Sequence, residues 1–406
     1  MKSLIFLTND EFMKGLDLSN IFIDEKELLQ VLQDLVRIES VNPELAGTGN
    51  GEYLIAEHIG RYLTEMGLEV HYQEIKPKRV NVIGVLKGSG EGRSIMLNGH
   101  TDTVGITGMD IEPLNPVFKD GKVYGRGSFD MKSGLGAMLI AVKSIIDAGM
   151  RTKGDVILAF VADEEYRSIG TEVLIKDFSA DAAIICEPTN LKVCIAHKGF
   201  AWIKVKILGK AAHGSRPDKG IDAIVKAGKF LNRIENLGKN ILVQKKHPLL
   251  GSPSIHASLI KGGTELSTYP DYCLIELERR TIPGESVESV EEEMRTLIEN
   301  IGSEDKQFKA GFEVSFYRPP LEVSQDHLIV SALTKAYSKI VKQAPEFIGV
   351  GGWMDSAIMT AAGIPTVIIG PGGEGFHSAI EYVDFNSVIT LTKILADTII
   401  DFYGTV

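Results

Sequence analysis

Two histidines and three acids, His100, Asp130, Glu165, Glu187 and His377, are the residue types that hold divalent cations through nitrogen and oxygen. The most conspicuous of them lies in Val161-Ala162-Asp163-Glu164-Glu165, where an apolar run breaks into three consecutive carboxylates. Adjacent acids repel one another unless a cation sits among them. If Asp130 bridges two divalent ions, each ion receives one imidazole, one terminal carboxylate and a share of the bridge, with a position left for water. Four positive charges against three negative ones leave about +1 on such a centre, which favours bound hydroxide over water and so argues for hydrolysis. Mixed N/O donors without sulfur suit Zn²⁺, with Co²⁺ or Mn²⁺ as substitutes. Asp102 stands two residues from His100, on the same face if the strand persists, and is placed to orient that ring. Glu164, alternating with Glu165 in extended chain, is left to take a proton from water and hand it to a leaving amine.

Each residue alone also has a plainer reading. On residues 161–165 by themselves, a solvated acidic loop fits as well. A histidine at a strand end is commonly a hydrogen-bonded structural residue, Asp130 is able to cap a following helix, and Glu187-Pro188 is able to form a turn. The glycine-rich residues 370–375 would serve as a turn or an anion nest, but lack the Lys-Ser/Thr ending of a phosphate-binding loop.

The elements that must position these side chains follow from pattern. A helix is expected from about residue 24, where Asp24 is a suitable cap, with Leu28, Leu32, Leu35 and Val36 on one stripe. A second helix spans about 51–66. Buried strands are expected over 95–100, 155–161 and 182–186, leading respectively to His100, to Glu164 and Glu165, and to Glu187. A helix follows Asp130 from Lys132 to Ala148, and residues 105–127 read as a Gly- and Pro-rich loop. This alternation implies an α/β domain with a mainly parallel, mixed sheet flanked by helices, in which function gathers at strand ends.

The rhythm changes near residue 198. Strand, helix, strand, strand, helix, strand up to residue 317 is the ferredoxin-like α+β order, complete in itself and inserted into the first domain. The expected division is therefore 1–197 with 318–406 as the catalytic, metal-binding domain, residues 1–23 being an extension, and 198–317 as a second domain.

Composition narrows the partners. A chain of 406 residues with 44% hydrophobic and 24% charged residues has a core sufficient for two domains. The net charge of −11 disfavours nucleic acid and anionic membranes. Cys186, Cys194 and Cys273 cannot all pair, the apolar core at the start is too short for a signal peptide and is followed by acids, and no apolar run has transmembrane length, so a cytoplasmic protein is expected.

Taken jointly, Gly99-His100-Thr101-Asp102-Thr103-Val104, Gly125-Arg126-Gly127 with Asp130-Met131-Lys132, Ala162-Asp163-Glu164-Glu165, Cys186-Glu187-Pro188-Thr189 and Gly375-Phe376-His377-Ser378 closely resemble the dinuclear-zinc aminoacylase and carboxypeptidase metallohydrolases. Acetylornithine deacetylase and succinyl-diaminopimelate desuccinylase belong to that family. The resemblance implies a zinc-peptidase-like catalytic domain, with 198–317 as a lid and dimerisation domain. It implies that His100, Asp130 and Glu187 hold one zinc and Asp130, Glu165 and His377 the other, with Glu164 as general base and Asp102 steering His100. It further implies that His213, in Ala211-Ala212-His213-Gly214, reaches the partner subunit's active site and polarises the scissile carbonyl, and that Arg280 grips a substrate carboxylate. A homodimer through the lid is implied as well. Ser267 is a departure: many relatives carry Asn there, and a hydroxyl is shorter with fewer donors. Trp353 is expected to line the pocket or to pack in the core.

The expected function is hydrolysis of an N-acyl amino acid to release its acyl group. A dipeptidase or carboxypeptidase with the same centre is the nearest alternative. A non-catalytic metal- or carboxylate-binding protein fits less well, since every ligand position and the base are filled.

Overall fold

The computed structural model describes residues 21–404 apart from residue 48. The expected N-terminal extension lies, up to residue 20, outside the described residues. The chain forms two compact units, one made of the residues up to 193 with 325–346 and 362–406, the other of 194–324 with 347–361.

The sheet of the first unit runs across Glu69–Lys76, Arg79–Leu86, Val156–Val161, Ile95–His100, Ala182–Ile185 and Thr366–Ile368. The first two strands form an antiparallel hairpin, and Arg79–Leu86 meets Val156–Val161 antiparallel. The remaining neighbours are parallel, so the sheet is mixed. Val156–Val161 and Ile95–His100 are buried at every residue, which explains runs without polar alternation. Helices cover them. Asp24 accepts from the amides of Lys26 and Glu27 at the start of Glu25–Arg37, whose Leu28, Val31, Leu32, Leu35 and Val36 are buried. Ser133–Asp147 is apolar on nearly all sides and correspondingly buried.

Register aligns the chemistry. His100 pairs with Val161, and Asn98 with Ile185, so His100, the acidic turn and Glu187 emerge at one edge of the sheet. Residues 105–127 are not wholly loop. Val117–Lys119 and Lys122–Tyr124 form a hairpin that joins Tyr382–Asp384 and Gly373–Glu374 in a small second sheet. Strands this short carry too little periodicity to be read from sequence.

The second unit contains a four-stranded antiparallel sheet in the order Ser254–Gly262, Tyr272–Thr281, Gly199–Leu208, Lys309–Arg318, which is the ferredoxin-like arrangement. Gly199–Leu208 buries alternate residues, and Ala201, Ile203, Val205 and Ile207 join a core with Phe230 and Ile234 of helix Ala223–Asn236 and Val290 and Met294 of helix Val287–Glu304. Among the described residues no helix is long and apolar enough to cross a membrane. Cys186, Cys194 and Cys273 are free and buried.

Candidate metal centre

All five expected ligands converge within the first unit. His100 Nε2 lies 3.1 Å from Asp130 Oδ1 and 3.4 Å from Glu187 Oε1. His377 Nε2 lies 3.3 Å from Asp130 Oδ2 and 3.1 Å from Glu165 Oε2. Asp130 thus turns one oxygen toward each imidazole. Donor atoms of His100, Glu164 and Glu187, and likewise of His100, Asp130 and Glu165, lie within 4.8 Å of one another. Glu164 is therefore close enough to His100 and Glu187 to share their surroundings.

The electrostatics show what these donors lack. Burial alone would discourage a charged His100, yet Glu187, Asp102 and Asp130 outweigh it and hold the ring well above its ordinary range. Hydrogen bonds with Asp130 and Glu165 raise His377 to about 10. Glu165 rises to about 7, chiefly through burial and then through Asp130. Buried acids here demand positive charge, and protons on the two rings supply it in part. Divalent cations supply it better, and the imidazole and carboxylate donors suit them. The residues present fit a pair of such ions.

Two local expectations need correction. The strand ends at His100, so Asp102 is not reached by strand alternation. His100 Nδ1 instead meets the main-chain oxygen of Asp102 at 2.9 Å, with the carboxylate Oδ1 at 3.6 Å. Nor are Glu164 and Glu165 in extended chain. The strand stops at Val161 and Asp163 takes a positive φ of 70°, so the two glutamates lie on a turn. What holds that turn is Asp102, whose carboxylate oxygens accept from the amides of Glu164 at 3.1 Å and Glu165 at 3.2 Å.

Asp102 is itself supported by residues that no motif marked. Asn42 Nδ2 donates to Asp102 at 2.8 Å and to Asp163 at 3.0 Å. Arg79 donates to Asp163 at 2.7 Å and, through two nitrogens, to Glu52 at 2.6 and 2.8 Å. These groups are buried, so Arg79 provides the cation that lets Asp163 follow an apolar strand. Burial acting alone would raise Asp102, but His100, Asn42 and Arg79 bring its carboxyl below the ordinary value. Nothing in the spacing or type of residue 42 hints at a partner at residue 102.

Two expected site residues belong to the second unit. His213 is on an exposed loop with Nδ1 2.8 Å from Ser215 Oγ, and its chain bridges to Thr268, beside Ser267. Arg280 pairs through Nε with Glu278 at 2.7 Å, and its guanidinium lies 5.1 Å above the Phe200 ring. Trp353, in the same unit, is half-buried, donates to the Pro319 carbonyl at 3.0 Å and packs edge-on to Phe200 and His197.

Residues 96–401 match the family described as peptidase family M20/M25/M40. N-formyl-4-amino-5-aminomethyl-2-methylpyrimidine deformylase of Bacillus subtilis is 28% identical, with 93% of this chain and 94% of the relative covered. Acetylornithine deacetylase of Myxococcus xanthus is 29% identical over 85% of this chain and 87% of its own. In fold, the chain is similar to aminopeptidase PepT of Bacillus cereus, with a TM-score of 0.79 at 21% identity over 95% of this chain and all of that one.

Proposed function

This chain belongs to peptidase family M20/M25/M40, and from that premise we propose that it hydrolyses the amide bond of an N-acyl amino acid with a free carboxylate. It is a metallohydrolase of amide or peptide bonds. The observation that carries the finer reading is the convergence of His100, Asp130, Glu165, Glu187 and His377 around a carboxylate, Glu164, that the ligand pairs do not require.

In this reading His100, Asp130 and Glu187 hold one ion and Asp130, Glu165 and His377 the other, zinc being the best match to the donors. Bound there, the ions would acidify water and polarise the scissile carbonyl. Glu164 takes the proton from the attacking water and delivers it to the leaving amine. Asp102 keeps Glu164 in place through its amide and keeps the His100 ring in orientation through its carbonyl. Arg280 binds the substrate carboxylate. Stacking on Phe200 occupies the face of its guanidinium and Glu278 takes Nε, which leaves the edge formed by Nη1 and Nη2 for bidentate pairing. His213 polarises the carbonyl oxygen from the partner subunit.

The inserted segment 198–317 serves as lid and dimerisation element. Its edge strand Ser254–Gly262 exposes Leu259 and Ile260, and helix Ala223–Asn236 exposes Ile224 and Val225. An apolar edge of this kind is stabilised by pairing with a second copy. Three free buried thiols fit a cytoplasmic setting.

The test is a panel of N-acetyl, N-formyl and N-succinyl amino acids beside dipeptides, with and without chelator. Turnover of acyl amino acids well above dipeptides, abolished by chelation and restored by Zn²⁺ or Co²⁺, is expected. The reverse preference would make it a dipeptidase.

A further inference from the structure

His377 occupies an unpromising place for a ligand. It sits between the two-residue strand Gly373–Glu374 and Tyr382–Asp384, its side chain is 53% exposed, and its φ of 52° is positive. Something must fix it against Asp130, which comes from a turn some 250 residues earlier in the chain. The candidate is Glu381, a fully buried acid four residues beyond His377.

One carboxylate oxygen of Glu381 accepts from the amides of Phe129 at 2.9 Å and Asp130 at 3.1 Å. Its other oxygen accepts from the amide of Gly127 at 3.1 Å and from Arg126 Nη1 at 2.7 Å. Gly127 is in the left-handed region, with φ 77°, which lets the turn fold its amides around one anion. Arg126 closes the loop: Nη2 donates to the carbonyl of Ser378, next to His377, at 3.1 Å, while Nε donates to Gly105. The amide of Gly125 donates to the Glu381 carbonyl, and Tyr124 pairs with Tyr382 in the small sheet.

We propose that Glu381 and Arg126 are positioning residues chiefly for one ion, the one assigned to Asp130, Glu165 and His377. Their buried pair staples the turn carrying Asp130 to the hairpin carrying His377, fixing the spacing of those two ligands. The partner position takes only Asp130 from the stapled turn; His100 ends a strand of the main sheet and Glu187 follows the end of the neighbouring strand by two residues, so that position depends on the staple less. This inference rests on the two-ion reading above.

A carboxylate accepts on both oxygens, whereas the amide of Gln has one end that only donates. In Glu381→Gln that end faces Arg126 and the Gly127 amide if the remaining oxygen keeps Phe129 and Asp130. Arg126→Lys retains the charge but cannot reach Glu381, Ser378 and Gly105 together. Zn²⁺ titration of the metal-free full-length chain by calorimetry, with metal analysis after dialysis, is the test. Wild type should bind two ions. Each variant should bind one ion about 10- to 100-fold more weakly and lose distinctly less affinity for the other. Its kcat should fall with KM little changed, and its near-ultraviolet circular dichroism should match wild type. If Glu381→Gln does not fold, Arg126→Lys decides. Variants that bind both ions as wild type does, or weaken both equally, would overturn the staple while leaving the two-ion reading intact. A wild type that binds fewer than two ions would overturn that reading and the staple with it.

Discussion

The two halves of the metal centre are built in opposite ways. In the His100 and Glu187 half, His100 ends a central buried strand and Glu187 lies two residues past the end of its parallel neighbour Ala182–Ile185, and the His100 side chain is only 2% exposed. The His377 and Glu165 half comes from two loops, with His377 about half exposed. In the first, backbone pairing up to Asn98 and Ile185 already brings the two donors to the same end of the sheet. In the second, spacing depends on side chains recruited to hold the loops: Asp102 for Glu165, and Glu381 with Arg126 for the His377 hairpin. A ligand on a central strand inherits rigidity, whereas a ligand on a loop must be given it.

The largest effect belongs to the residue the halves share. Asp130→Ala should leave neither ion bound and no measurable turnover, as metal analysis and an activity assay would reveal. Retention of one ion would mean that the halves are more independent than the 3.1 and 3.3 Å contacts of Asp130 suggest. Next comes Glu164→Ala, which should lower kcat by about 10²- to 10⁴-fold with both ions kept.

The sharpest contrast is in stability. In metal-free protein, His100→Ala removes the cation facing buried Glu187 and one of the two facing buried Asp130, and should cost about 3–5 kcal/mol. His377→Ala, half exposed, should change stability by only about 1 kcal/mol. Urea denaturation of both variants measures the difference, and equal losses would erase the distinction between strand-held and loop-held ligands.

The smallest effect is in proton release. His377 is raised to about 10 and His100 well above its ordinary value, so both rings are protonated at neutral pH without metal. Each must lose its proton to ligate, so the affinity for Zn²⁺ should rise with pH from neutrality toward about 10. Calorimetry in buffers of different ionisation enthalpy should register more than two protons released per chain at pH 7, those of the two rings and part of one from Glu165, which is raised to about 7.

The same contrast explains what could be read in the sequence. His100 and Glu187 are legible because one ends a buried apolar strand and the other follows one by two residues, and the alternation of elements conveys the mixed α/β sheet and the ferredoxin-like insertion. Details beyond the strand ends are harder. Strand alternation would put Asp102 on the face of His100 and set Glu164 and Glu165 on opposite sides, but the strands stop at His100 and Val161, and turns decide where those carboxylates point. Asn42, Arg79 and Glu52 form one buried network from three separate segments, with no spacing to betray it. Glu381 is a single acid after a Gly- and Ser-containing loop, and its four donors become visible only when residues 126–130 are folded beside it.

The most direct test of the account is metal content and turnover measured on the same preparations of wild type, chelated wild type and Glu164→Ala. Two ions per chain in active wild type are predicted, with activity lost on chelation, and with both ions retained but turnover nearly gone in the variant. A fully active metal-free chain, or a Glu164→Ala variant that turns over as wild type does, would contradict it.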